Sequence, residues 1–511
     1  MFGALQPNRS RKATARSKSI PAPSGGLNAK DSIANMPETD AVTLDNFIPR
    51  PDRIEVRRGY IEHTTGITGA VQSIIPYVSP TVNKLFAAAN NEIYDVTTAG
   101  AVGAASVTGL SNNKWQDTMF STAGGNFLVI CNGADSVRNF DGVSWTTPTI
   151  TGVTSSNLIN VNVFKFRLFF IEKNTMKFWF LPLNSIAGAA SSFNLASIFK
   201  KGGYLVAMGT WTLDSGTGAD DLAVFITSEG EVAVYQGTDP TDATRWGLVG
   251  VFTTSKPVGN RCFVKMAGDL VMITEAGFLP VSKSLYTDQT APQLSISSKI
   301  ERLVNKYTIS SSDNFGWESE YFPTQNIILF NIPVVENMFS YQYVMDLSTK
   351  GWGRFANLNA NCWAQLSGNL YYGADTVVCQ ALTGNNDNGD PIIATVKPAF
   401  NYFGSKGRQK MFSMMRPVLS LTGTVTASMG FATDFGDVIA KEQLIYDAAT
   451  GSAWGSPWGS PWSIDGELQL IWHNTQGIGY SGTAKFIFTS STSTSISLSA
   501  IDYLYRVGEY L

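Results

Sequence analysis

Histidine is almost missing from this chain: His63 and His473 are the only two among 511 residues. That scarcity argues against a multi-histidine metal site or a repeated histidine general base. A Ser-His-Asp triad would have to use one of the two, and no GxSxG elbow accompanies either. GxxxxGK[ST] is absent as well, and Gly202-Gly203 and Gly247 to Gly250 read as turns rather than phosphate cradles. The four cysteines, Cys131, Cys262, Cys362 and Cys379, are scattered without a CxxC, so neither a zinc site nor a disulfide framework is suggested and buried thiols are expected. No apolar run approaches the ~18 residues of a membrane-spanning helix. Charged residues reach only 15%, and 37 Lys plus Arg against 40 Asp plus Glu leave a net charge of -3. Such a balance gives no global attraction for nucleic acid. The sequence assigns no catalytic residue, no metal ligand and no cofactor.

What is present favours strands. Gly is abundant at 47 residues and aromatics reach 12%, while amphipathic helical spacing is rare. The expected fold class is therefore all-β. Residues 1–45 open with Arg9, Arg11, Lys12, Arg16 and Lys18, but lack the apolar core of a signal peptide. With Pro21, Pro23, Gly25, Gly26 and Pro37, they read as an extended basic arm without its own core. The arm either docks on an acidic neighbour or nucleic acid, or is a solvated tail.

From about residue 70 one device recurs: a short apolar strand, a tight polar turn, and a second strand ending in an aromatic near Asp or Gly. Leu85 to Ala89 turns at Asn90-Asn91 into Ile93 to Asp95. Phe127 to Cys131 turns at Asn132-Gly133, the strong hairpin dipeptide, toward Phe140-Asp141-Gly142. Further copies occur at Leu168 to Phe180, Leu222 to Tyr235, Leu270 to Gly277, Ile327 to Asp346 and Trp363 to Tyr372. The first five turns lie roughly 40 to 60 residues apart, near the length of a propeller blade. Radial repetition also protects strand edges. The expectation is a β-propeller-like domain of about six blades over residues 46–395, with a pair of β-sandwiches as the alternative.

After about residue 396 the strands lengthen, as in Val425 to Phe431 and Ala484 to Phe488, which suggests a β-sandwich-like platform domain over 396–511. Within it, Trp454, Trp458 and Trp462 recur every four residues in a Gly-Ser-Pro repeat. They are either interface anchors or rings folded back onto the sandwich. Carboxylates at Asp95, Asp141, Asp269, Asp346 and Asp375 sit in turns or at strand ends, where Asp satisfies local backbone. Phe140-Asp141-Gly142-Val143-Ser144-Trp145 is similar to the Asp box of sialidases but places Gly directly after Asp.

The segment Leu44-Asp45-Asn46-Phe47-Ile48-Pro49-Arg50-Pro51, continuing to Arg57-Arg58-Gly59-Tyr60, resembles the opening of the tail hub and nozzle proteins of short-tailed phages. Asn132-Gly133 through Arg138 to Asp141-Gly142 resembles that family's NGxDxxRxFDG hairpin, and Phe166-Arg167-Leu168-Phe169-Phe170 resembles its RLxF strand. The family is related to packaged-DNA stabilisation and tail tubular proteins. The likeness marks Asn46, Pro49, Arg57, Gly59, Asn132, Gly133, Asp141, Gly142 and Arg167 as structural motif residues. It implies a structural protein of the virion tail, in a homo-oligomeric ring, commonly a hexamer. Its implied partners are the portal-adaptor ring, the tail needle, spikes or fibres, and double-stranded DNA passing through without sequence specificity. A glycan-active or glycan-binding propeller is the alternative.

Overall fold

The computed structural model describes residues 14–214, 219–266, 268–285, 294–446, 467–490 and 494–508. Strands dominate them; the α-helices are Val281–Leu285 and Glu301–Ser310. The chain divides into two compact units: one of residues 58–347 and 354–389, the other of residues 1–57, 348–353 and 390–511.

The first unit is propeller-like and, among its described residues, has seven successive antiparallel blades, where about six were expected. Blade one is Ser73–Val78, Asn83–Ala89 and Glu92–Asp95. Blade two runs Gln116–Thr122, Gly125–Cys131, Arg138–Phe140 and Trp145–Thr146. Blade three is Leu158–Phe164, Arg167–Glu172, Lys177–Phe180 and Ser191–Asn194. Blade four comprises Leu205–Asp214, Ala219–Thr227, Glu231–Gly237 and Trp246–Thr253. Blades five and six follow as Phe263–Met266, Asp269–Thr274, Gly277–Pro280 and as Glu318–Phe322, Ile327–Val335, Phe339–Asp346. Blade seven, Cys362–Leu366, Asn369–Gly373 and Val378–Ala381, receives its fourth strand from the start of the unit, Tyr60–Thr65. Pairing the beginning of the unit to its last sheet closes the ring and removes an open edge.

Each hairpin read from the sequence forms two adjacent strands of one blade: the first two in blade seven, and the second and third in the others. Asn90 (φ 49) and Asn91 (φ 61) both take the left-handed conformation that a two-residue hairpin turn requires. The central strands are continuous buried runs because both faces are covered by neighbouring blades. On Asn83–Ala89, Leu85, Ala87 and Ala89 enter the core shared with blade seven, whereas Phe86 and Ala88 enter the core shared with blade two. Phe120, Val129 and Cys131 continue the succession against Val161, Leu168 and Phe170 of blade three. Blade three in turn packs Phe169 and Phe178 against Phe225 and Trp246 of blade four. Each such buried aromatic stabilises the fold by about 1.5–3 kcal/mol. The first strand of every blade contributes to the wall of one central cavity of about 500 Å³.

The described strands of the second unit form two mainly antiparallel sheets. Ile496–Val507 is central to one, flanked by Ala15–Pro21, Ile54–Val56 and Lys410–Leu421. The other joins Asp40–Asp45, Asp390–Pro398, Gly482–Ser490, Val425–Thr433 and Glu442–Tyr446. Rings from the two sheets meet edge-on between Phe47 and Phe488 (centroids 6.2 Å apart) and in a tilted pair between Phe431 and Tyr503 (6.0 Å). This arrangement corrects two boundaries. The described part of the supposed arm supplies strands and buried Ile20, Leu27, Met36, Ala41 and Leu44 to this unit. The C-terminal strands are therefore not a self-contained block starting at residue 396. Pairing along Ala15↔Arg506 to Pro21↔Ala500 satisfies the backbone of residues 15–21 within the chain itself, where an extended arm without a core of its own was expected.

Candidate functional site

A cluster of charged and polar side chains lies in the central cavity, where Asp117, Arg261, Glu318, Glu320 and Gln365 converge from four blades. Arg261 precedes the first strand of blade five and reaches across the channel. It donates to Glu318 at 2.9 Å, to Ser73 Oγ at 2.7 Å and to the Trp115 carbonyl at 2.7 Å, thereby tying blades five, six, one and two. Its guanidinium also lies over the Phe315 ring, 5.1 Å from the centroid. The Arg261 and Glu318 side chains are themselves only 12% and 14% exposed. Glu318 further accepts the Trp363 backbone N–H at 3.4 Å. One carboxylate thus bridges blades six and seven while neutralising the arginine.

Glu320 sits two residues along the same strand, on the same side. Removal from water pushes its carboxyl up to about 8, helped by the nearby charges of Glu318 and Asp117 and opposed by a hydrogen bond from Gln365. At neutral pH it is mostly protonated. Gln365 also donates to the Tyr321 carbonyl at 2.6 Å, which fixes its amide. Asp117 is exposed to the lumen, but channel walls surround it, and the shortage of bulk water raises it to about 6; Arg261 opposes the rise. Burial raises Glu318 as well, against the pull of Arg261. Chemically, the cavity offers a neutral carboxylic acid, a carboxylate and a closed ion pair. No group of three or more His, Cys, Asp or Glu among the described residues is arranged to hold a metal.

Residues singled out from the sequence are elsewhere. Asn46 adopts φ 60 and is 1% exposed; its Oδ1 accepts Arg57 Nε at 2.9 Å, its carbonyl accepts the Arg57 N–H at 2.9 Å, and its amide donates to the Ile393 carbonyl at 2.9 Å. Pro49 is buried, and its carbonyl accepts the Thr349 hydroxyl at 3.1 Å. Gly59 packs so closely under another loop that a Cβ would lie 1.6 Å from the Asn386 carbonyl oxygen. Asn132 accepts the Ala134 and Asp135 N–H groups at 3.1 and 2.7 Å, and Gly133 takes φ 72. Asp141 accepts N–H groups from Ser144 (2.7 Å) and Val143 (2.9 Å), which hold its carboxyl below the usual range, while Gly142 takes φ 99 against Tyr77. Arg167 pairs with Asp239 at 3.0 Å. These are turn and packing roles, spread over both units rather than gathered into one site.

Of the basic arm, Arg16 is an exposed strand residue and Lys18 pairs with Glu38 at 3.0 Å. Arg9, Arg11 and Lys12, and the Trp454, Trp458 and Trp462 repeat, lie outside the described residues. Asp95 accepts Lys84 at 2.7 Å and Asp269 accepts the Ser282 N–H at 3.2 Å, both local contacts. All four cysteines are buried and unpaired with one another. No helix among the described residues is long and apolar enough to cross a membrane.

The sequence reading missed Asp117, Glu318 and Glu320. A signal existed: Glu318-Ser319-Glu320 places two acids on one side of a strand opening a blade. Gly477-Ile478-Gly479-Tyr480-Ser481-Gly482 has GxGxxG spacing, but it joins strands His473–Gly479 and Gly482–Ser490 with no following helix, so it lacks the context of a dinucleotide site.

No protein-family model and no curated protein matches this chain. Similar solved structures include BBS1N in complex with ARL6DN, at 9% identity and a TM-score of 0.41 over 64% of this chain and 98% of that one. They also include the WD40 β-propeller domain of Doa1, at 8% identity and 0.38 over 63% and 96%. Raptor of Chaetomium thermophilum aligns at 10% identity and 0.37 over 65% of this chain and 30% of its own. The propeller-like assignment rests on the strand pairing, the interblade cores and the shared central cavity, and no family is assigned.

Proposed function

We propose that the chain is a non-enzymatic structural subunit of a short-tailed phage tail, of the hub or nozzle type. In this reading several copies, six by resemblance, form a ring that continues the portal-adaptor channel, retains packaged double-stranded DNA and conducts it during ejection. The tail needle, spikes or fibres would attach to the same ring. The observation that carries the reading is the construction of the family-like segments. Asn46 takes a buried left-handed position tied to Arg57, Gly59 is buried where a Cβ would overlap the Asn386 carbonyl, and Gly133 and Gly142 take positive φ, positions that Asn or Gly fills readily. The propeller cavity itself is no DNA conduit: it measures about 500 Å³ and Arg261 bridges it, whereas the major groove of a duplex alone is about 12 Å wide. A duplex needs a lumen made by several copies. Electron microscopy of the purified protein, alone and with portal and adaptor, should show rings with an axial opening. A chain that stays monomeric and never joins tail particles refutes the proposal.

The glycan-active alternative is favoured by one observation, the raised carboxyls of Glu320 and Asp117 in one cavity. Incubation with host polysaccharide tests it. Cleavage products that disappear in Glu320→Gln would replace the structural reading.

A further inference from the structure

The geometry points to Lys18, Glu38 and Asn401 as a self-modification site, where the Lys18 amine displaces ammonia from the Asn401 side-chain amide and leaves an intramolecular isopeptide bond. The inference stands apart from the tail reading, because it concerns a covalent bond within one chain. Three distant parts of the second unit meet at this point. Lys18 belongs to the strand Ala15–Pro21, Glu38 precedes Asp40–Asp45, and Asn401 follows Asp390–Pro398. Glu38 Oε2 accepts Lys18 Nζ at 3.0 Å and Asn401 Nδ2 at 2.6 Å, so one carboxylate oxygen holds both the nucleophile and the group that must leave. Lys18 Nζ also lies 3.3 Å from Asn401 Oδ1, the oxygen bonded to the carbon under attack. That oxygen accepts the Phe403 backbone N–H at 2.6 Å, a donor placed where the negative charge of a tetrahedral intermediate gathers.

The electrophile is fixed, and the nucleophile is free to reach it. Asn401 is 7% exposed, and its backbone exchanges two hydrogen bonds with Gly482, each of 3.0 Å. The Lys18 side chain is 33% exposed on a flexible stem, so Nζ can pass from the amide oxygen to the adjacent carbon. Holding amine and amide side by side turns a bimolecular reaction into an intramolecular one. The step begins when a proton crosses from Nζ to Glu38 and frees the amine lone pair. The Nζ–Cγ bond then forms, and negative charge moves onto Oδ1. Glu38 passes its proton to Nδ2, the Cγ–Nδ2 bond breaks, and Nζ gives up a second proton. The nitrogen departs as ammonium, with no oxidant or further reactant consumed. Lys18 holds the Glu38 carboxyl below its usual range, so the first transfer is uphill and the bond accumulates slowly after folding. Its structural effect is clear from the strand it secures. Of the seven residues of Ala15–Pro21 only Ile20 is buried, and the strand pairs with Ile496–Val507 alone. A crosslink between positions 383 apart ties this weakly anchored strand to the opposite sheet and restricts the unfolded chain as a disulfide does.

Intact-mass spectrometry of the full chain, incubated after purification at 37 °C and pH 8, tests the inference. The mass should fall by that of one ammonia, and proteolysis should release a peptide pair joined through Lys18 and Asn401. Lys18→Arg keeps the charge but removes the nucleophile, so it should retain the full sequence mass. Glu38→Gln keeps both reactants without the proton carrier, and should form the bond about a hundredfold more slowly. Circular dichroism confirms that each variant keeps its strands, and the joined pair in the wild type decides the matter even where a variant fails to fold. A wild-type chain that keeps its full mass overturns the inference. Ammonia loss without the joined pair does so too, since it would mark a succinimide at an asparagine. So does a loss that persists in Lys18→Arg, or one that proceeds at the wild-type rate in Glu38→Gln.

Discussion

Replacing Arg261 by Met should be among the most damaging single changes in the propeller-like unit. The substitution keeps much of the aliphatic stem and removes the donor that Glu318 accepts at 2.9 Å in a pair 12% and 14% exposed. Breaking a buried pair by deleting one partner costs about 3–5 kcal/mol. An independent bound comes from protonation. Neutralising a carboxyl of ordinary pKa ~4.3 at pH 7 costs about 2.7 × 1.36 ≈ 3.7 kcal/mol, and the stranded Glu318 will not pay more than that to shed its charge. Ser73 Oγ and the Trp115 carbonyl lose a charged donor as well, so about 4 kcal/mol is expected at pH 7. The loss must depend on pH in a definite direction. Without Arg261 the folded-state pKa of Glu318, already raised, climbs further above its unfolded value, so the extra penalty grows with rising pH and shrinks toward pH 5. Urea unfolding followed by tryptophan fluorescence at pH 5, 7 and 8 measures this. Adding Glu318→Gln to the variant should recover most of the loss at pH 7 by removing the stranded charge. A loss below about 1 kcal/mol at pH 7, a loss equal at pH 5 and 7, or no recovery in the double variant would refute the idea that this pair ties the blades together.

Glu320→Gln tests the neighbouring acid. Because the folded pKa of about 8 lies above the unfolded value, the wild type has the full benefit of a neutral Glu320 below about pH 4.5 and loses it as pH rises through 8. The Gln variant should therefore gain on the wild type across that window, by at most about 1.4 kcal/mol per pH unit, as read by parallel melts at pH 5, 7 and 9. Gly59→Ala should destabilise by about 3 kcal/mol, since its Cβ would overlap the Asn386 carbonyl; a melting temperature within a degree of wild type would contradict the close approach. Asn46→Ala removes the acceptor of Arg57 Nε and a residue suited to φ 60, and about 2 kcal/mol should be lost. Asn46→Gly, which keeps the backbone freedom, separates the two contributions.

The sequence by itself determined the strand-rich class and the local turns. Period-two patterning and the Asn and Gly turn residues act between near neighbours, so Asn90-Asn91, Asn132-Gly133 and Gly230 announce their hairpins without knowledge of the rest of the chain. The alternation of Leu85, Ala87 and Ala89 with Phe86 and Ala88 likewise fixes which side chains face which core. Ring closure was decided only by tertiary structure, because Tyr60–Thr65 pairs with Val378–Ala381 some three hundred positions away, and nothing local in either strand names its partner. The same holds for Ala15–Pro21 against Ile496–Val507, which turned an apparent arm into part of a sheet. The central cavity follows the same logic. Asp117, Arg261, Glu318 and Glu320 are ordinary surface-type residues in sequence, and their shifted ionisation comes from the walls that seven blades build around them. Desolvation depends on everything within several ångströms in space, so it becomes visible only once the ring has closed.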